Sequence, residues 1–228
     1  MASIAGKLQQ VSGRIASACA AAQRPVQSVT LLAVSKTFGA EAVREAHAAG
    51  QCAFGENYVQ EALAKIAVLD DLRDALDWHL IGPLQSNKTR EVAASFDWVH
   101  SIDRLKIAER LSAQRPAGLP PLQVCLQVNV SGEASKSGVA PAALPALANA
   151  VAALPRLRLR GLMSIPEPVE GVQAQRAPHR LLHGLFTALR QDGLALDTLS
   201  MGMSADLEAA IAEGATLVRV GTAVFGNR

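Results

Sequence analysis

Eight short apolar runs, each followed by a longer helix-patterned stretch, constrain this chain more than any other feature. The runs fall near residues 29–34, 52–54, 78–81, 97–100, 122–130, 157–162, 197–200 and 217–220. They are rich in Val, Leu and Ile and rarely alternate with polar residues. Both faces of each strand are therefore expected to be buried, as in a parallel sheet. Helical patterning fills the stretches near 39–49, 57–68, 87–94, 103–113, 141–153, 175–192 and 204–213. Gly50 and Gly214 stand where helices should stop, because glycine tolerates a left-handed cap. Asp103 and Ser204 stand where helices should start, their side chains accepting from free amides. The alternation predicts an α/β fold, a single (β/α)8 TIM barrel spanning residues 1–228. An open doubly wound sheet is the rival, but no GxGxxG follows the first strand and no pattern divides the chain into halves. The Pro-rich pieces "RPAGLPP" and "IPEPVEG" are of loop length and lie inside the alternation.

Ahead of the first strand, Ile4, Leu8, Val11, Ile15 and Cys19 recur at helical spacing. That predicts an extra N-terminal helix packed on the barrel. The same opening has no acidic residue before Glu41 and is rich in Ala and Ser, as a transit peptide is. The packed helix is preferred because it runs straight into the first strand with no cleavage-like boundary. With 228 residues, half of them hydrophobic, and a net charge of +2, the chain can bury a full core. A charge so near neutral gives no reason to expect nucleic acid or a charged membrane as partner. No apolar run approaches the ~20 residues needed to span a bilayer. Cys19, Cys52 and Cys125 are odd in number and scattered, which fits a reducing cytoplasm and neither a disulfide framework nor a zinc site.

In such a barrel, chemistry sits where the strands end. The first strand ends in Ser35-Lys36. A lysine there either snorkels to solvent or projects into a partly desolvated site, where loss of water favours the free, nucleophilic amine. Such an amine can form a Schiff base with a carbonyl. After the seventh and eighth strands come "SMGMS" (residues 200–204) and "RVGTAVFG" (residues 219–226). Small residues there let backbone amides approach an anion, and the recurrent phosphate site of barrels uses these two loops. A Schiff-base lysine and a phosphate cup together are what pyridoxal 5′-phosphate (PLP) requires. Arg219, two residues before Gly221-Thr222, either faces the pyridine nitrogen or forms an ion pair at the rim.

Seven stretches in order, "AVSKTF", "FGENYVQE", "WHLIGPLQSNK", "VNVSGEASKSG", "GLMSIP", "LSMGMSADLEAAI" and "VRVGTAVFG", resemble the pyridoxal phosphate homeostasis protein family from about residue 30 to 226. The resemblance implies one barrel domain like the N-terminal domain of alanine racemase, with PLP held as a Schiff base on Lys36. It implies a phosphate held by Ser200, Gly202, Gly221 and Thr222, with Met201 against the cofactor. Arg219 would face the pyridine nitrogen, and Asn57, His79 and Met163 would line the pocket. The implied role is to bind and deliver PLP, in vitamin B6 and amino-acid balance, as a carrier or regulator and not as an enzyme. Apo PLP-dependent enzymes would be the recipients.

A low-activity amino-acid racemase is the alternative. Alanine racemases take a second base, a tyrosine, from a further domain of the partner subunit. The chain stops at Arg228, so that domain is expected to be absent and the protein monomeric. The only tyrosine, Tyr58, is expected to pack at the pocket wall. A cofactor-free Schiff-base lyase is a third reading. His179 and His183 have metal-ligand spacing on a helix, but with no third ligand nearby a solvated helix is expected. Asn87-Lys-Thr and Asn129-Val-Ser match a glycosylation sequon that a cytosolic protein would not use. Lys136 is either a secondary PLP contact or a solvated loop charge.

Overall fold

The structure, a computed structural model, describes residues 3–132 and 137–226. Lys136 and most of "GEASK" lie outside the described residues. Eight strands run in parallel and close in sequence order: β1 (Thr30–Val34), β2 (Ala53–Glu56), β3 (Asp77–Leu80), β4 (Trp98–Ile102), β5 (Leu122–Gln127), β6 (Leu157–Met163), β7 (Thr198–Ser200) and β8 (Leu217–Val220). β8 pairs with β1, completing the barrel. The chain opens with α1 (Ile4–Ala21), and the helices after the strands are α2 (Ala40–Ala48), α3 (Val59–Val68), α4 (Thr89–Ser95), α5 (Leu105–Gln114), α6 (Leu144–Ala152), α7 (Val172–Gln191), α8 (Leu207–Ala212) and a last short turn, α9 (Thr222–Phe225). No helix among the described residues is long and apolar enough to cross a membrane.

Successive strand residues point to opposite faces, and the two faces meet different surroundings. Ala33, Trp78, Leu80, Val99, Val218 and Val220 belong to the large core between sheet and helices. Leu32, Val34, Ala53, Ile81 and Leu217 form a small separate cluster inside the barrel. The rest of the lumen takes the buried polar side chains of His79, His100, Ser200 and Arg219. That polar share is what the apolar reading of the strands did not contain.

The N-terminal spacing holds: Leu8, Val11, Ile15 and Cys19 are buried, and α1 packs on α8 and α9. Gly50 and Gly214 follow α2 and α8 with φ of +95° and +96°. Three boundaries differ from expectation. β5 ends at Gln127, not at 130; beyond it Val128 bridges to Val139 and the Gly132 amide turns back to Asn129 Oδ1 at 3.0 Å. Asp103 does not cap α5, whose N-cap is Arg104; the Asp103 carboxylate pairs with the Arg104 guanidinium at 2.8 Å. Ser204 does not cap α8 either. Asp206 occupies that N-cap, and its Oδ1 accepts from the Met203 amide at 2.7 Å.

Candidate functional site

A cavity of about 640 Å³ opens where the strands end. Lys36, Asn57, Arg219, Gly221 and Thr222, all expected at the site, line it together. Lys36 reaches it because burial stops at Ser35: Val34 and Ser35 are buried, and Lys36 is exposed. The expected desolvation is therefore not what presents this amine. Its Nζ has no hydrogen bond or ion pair among the described residues.

The turn that carries Lys36 is clamped from below. Lys65, buried on α3, donates to the Ser35 carbonyl and to Glu56 Oε1, both at 2.7 Å, and lies 2.8 Å from Glu61 Oε1. Its three protons match these three acceptors. Ser35 Oγ donates to the same Glu56 oxygen at 2.6 Å. The Thr37 amide donates to Glu61, which holds Thr37 in the left-handed region at φ 70°, uncommon for a β-branched residue. Burial raises the Glu56 carboxyl above its ordinary range, against the opposing pull of Lys65 and Ser35. Sequence reasoning missed Glu61 and Lys65. The only signal was an i,i+4 Glu–Lys pair, which on most helices is a surface feature.

Arg219 faces the cavity from β8 yet is only 3% exposed. Nη1 donates to the Ser200 carbonyl at 2.6 Å and to Ser200 Oγ at 2.8 Å, and Nη2 donates to the Ser164 carbonyl at 2.7 Å. Three of its five N–H groups are thus committed, and the other two have no acceptor among the described residues. It forms no ion pair among the described residues. Burial brings its pKa down to about 10, so it stays charged at neutral pH.

The loop after β7 meets the cavity through Met203, Ser204 and Ala205, not through Ser200, Met201 and Gly202. Ser200 and Met201 are fully buried, and Gly202, at φ +93°, packs where a Cβ would fall 2.5 Å from Ala210 Cβ. Met163 is also fully buried and does not line the cavity. Asp206 anchors this loop: besides the Met203 amide it meets His179 Nε2 at 2.9 Å. His179 is therefore buried and paired, not solvated, while His183 is exposed and meets the Glu213 carbonyl at 2.8 Å. No cluster of three metal-ligating side chains occurs among the described residues. Arg14 of α1 braces the loop from outside by donating to the Ser204 carbonyl at 3.0 Å. On the β2 side, Gly82 lies so close to Asn57 that a Cβ would fall 2.2 Å from the Asn57 carbonyl. Asn57 Oδ1 is buried and has no hydrogen-bond partner among the described residues. Tyr58 is 59% exposed and outside the cavity wall. His79 is elsewhere, lining a cavity at the opposite end of the barrel.

The family described as "Alanine racemase, N-terminal domain" matches residues 9–228. A pyridoxal phosphate homeostasis protein from Pseudomonas aeruginosa is 65% identical over 228 residues, covering 100% of this chain and 97% of the relative. The chain belongs to the pyridoxal phosphate homeostasis protein family. A second member, from Escherichia coli K12, is 55% identical over 229 residues, covering 100% of this chain and 98% of its own length. Among solved structures, PipY of Synechococcus elongatus PCC7942 with PLP bound superposes with a TM-score of 0.85 at 42% identity, covering 98% of this chain and 100% of that one. Alanine racemase from Corynebacterium glutamicum, at 16% identity and a TM-score of 0.66, shares the fold alone.

Proposed function

We propose that this chain binds PLP in the mouth cavity, with Lys36 as its covalent partner, and acts as a carrier and regulator of PLP. One observation carries the reading. Lys36, an exposed amine with no hydrogen-bond partner among the described residues, shares one cavity with the Arg219 guanidinium and with the loops after β7 and β8. The PLP-bound relative PipY supports it.

The residues present fit the group. When bound, PLP supplies an aldehyde carbon that condenses reversibly with an amine. Lys36 is free to offer that amine without breaking any contact. Ser204 and Thr222 offer hydroxyls to a phosphate. Asn57 lines the wall. Arg219, pinned by Ser200 and Ser164, lines the cavity and, being charged, opposes protonation of a ring nitrogen set against it. Residues 1–228 are read as one PLP-binding domain, acting as a monomer. Apo PLP-dependent enzymes are the intended recipients.

The test is transfer. Protein loaded with PLP and freed of excess by gel filtration should restore activity to an apo PLP-dependent enzyme, and the Lys36→Ala variant, treated alike, should restore none. Protein that emerges from gel filtration without PLP would contradict the reading. A racemase needs a second base within reach of the reacting carbon. Tyr58 lies outside the wall, so α-proton exchange on amino acids should stay near the background of free PLP.

A further inference from the structure

Four polar side chains form a continuous hydrogen-bonded line through the barrel. Arg219 Nη1 reaches Ser200 Oγ at 2.8 Å, Ser200 Oγ meets His100 Nδ1 at 2.9 Å, and His100 Nε2 meets His79 Nδ1 at 2.9 Å. All four residues are at most 3% exposed. The line starts at the mouth cavity and ends at a second cavity of about 400 Å³. Thr30, Asp77, Trp98, Thr198 and Leu217, the first residues of their strands, place that second cavity at the opposite end. There the His79 ring lies stacked on Trp98, centroids 5.1 Å apart and planes 8° apart, and Arg160 covers the same indole at 4.8 Å.

We propose that His100 is a positioning residue for Arg219: it anchors the Ser200 hydroxyl and so fixes which edge of the guanidinium faces the mouth cavity. The inference rests on the reading of that cavity as the PLP site. Arginine has donors only, so Ser200 Oγ must accept from Nη1. Its own proton is then free for His100 Nδ1. A His100 that accepts at Nδ1 and is neutral carries its proton on Nε2, and donates it to His79 Nδ1. His79 in turn carries its proton on Nε2. A serine oxygen has two acceptor positions, so accepting from both Nη1 and a His100 Nδ1–H would reverse the line; we take Ser200 as the donor to His100, and the two arrangements differ in the tautomer of both rings. The neutral state agrees with the burial of both rings, which holds His79 down to about 3 and His100 well below its ordinary value, the latter helped by the nearby Arg219 charge. Without an acceptor at His100, the Ser200 hydroxyl can turn away, and Nη1 loses one of its two fixed partners.

Two measurements test this. The first needs no cofactor. Side-chain ¹⁵N spectra of the protein at neutral pH should show both rings as neutral Nε2–H tautomers; a proton on Nδ1 of His100 would overturn the proposal. The second compares His100→Leu with His100→Asn, whose side-chain oxygen can accept near the position of Nδ1. The leucine variant should bind PLP about tenfold more weakly and shift the visible maximum of the bound cofactor. The asparagine variant should recover most of both. Leucine with unchanged affinity and spectrum would refute the role. A purely structural histidine would lower thermal stability in both variants without this split. Should the leucine variant fail to fold, Ser200→Ala, which keeps the carbonyl and removes the hydroxyl, is expected to give the same loss and shift, and unchanged binding there overturns the proposal. Should the wild-type protein take up no PLP, the PLP reading fails. The line is then judged by the tautomers and by whether the Arg219 guanidinium ¹⁵N signals move in the asparagine and leucine variants.

Discussion

At the residue scale, two lysines illustrate opposite solutions. Lys36 is exposed and unpaired, so Lys36→Ala should leave stability within about 0.5 kcal/mol of wild type while abolishing covalent PLP uptake; a denaturant titration beside a visible spectrum checks both. Lys65 is buried with Glu56, whose carboxylate is fully enclosed. Lys65→Met leaves that charge without its cation and should cost about 3–5 kcal/mol at neutral pH. The cost should shrink in acid. Glu56 is raised above its ordinary value by burial, and removal of Lys65 raises it further. The folded state then binds more protons than the unfolded one, so stability falls as pH rises through the folded value and returns as pH is lowered. A penalty that is flat from neutral to mildly acid pH would contradict the assignment. Lys36 was legible in the sequence because an amine at the end of an apolar strand is conspicuous. His100 was not, because nothing in "WVHSI" tells a lumen-facing polar residue from an outward one until the barrel closes.

At the element scale, the loop between β7 and α8 is held by Asp206, not by Ser204. Asp206 is half-buried, which opposes its ionisation, but His179 and the Met203 amide outweigh that and hold it below the ordinary carboxylate range. Asp206→Ala leaves the Met203 amide and the buried His179 without their partner, and should cost about 1–3 kcal/mol and weaken PLP binding by loosening Met203 to Ala205. Unchanged affinity, read by dialysis, would show that the loop does not grip the phosphate. The strands and most helices were readable because their apolar periods are long and end in glycine or polar residues. The two caps were misread because backbone geometry decides them: the N-cap of α5 falls one residue after Asp103, whose carboxylate pairs with Arg104, and "MSAD" offers both Ser204 and Asp206. That Ser200 and Gly202 lie behind the cavity wall was not legible for a related reason. In a three-residue strand, a shift of one or two positions separates a cavity wall from the packed interior.

At the scale of the whole molecule, the lumen makes folding sensitive to acid. His79 is held near 3, from an ordinary 6.5, by burial, and His100 is also held low. Both stay neutral when folded and take up protons when unfolded. The unfolded state binds more protons below its ordinary histidine value, so stability falls as pH drops from about 6.5 toward 3. Each ring contributes a slope of about 1.4 kcal/mol per pH unit there. Stability measured between neutral pH and mildly acid conditions should show this fall, and the paired variant His79→Asn with His100→Asn should flatten it; an equally steep paired variant would place the acid response elsewhere. The same closed barrel brings the ends of β1, β7 and β8 to one mouth, and the proposed function depends on that convergence. Borohydride reduction of the PLP-loaded protein, followed by peptide mapping, tests it most directly. The account predicts a pyridoxyl group on the peptide containing Lys36 and on no other; a modified lysine elsewhere, or no modified peptide at all, would contradict it.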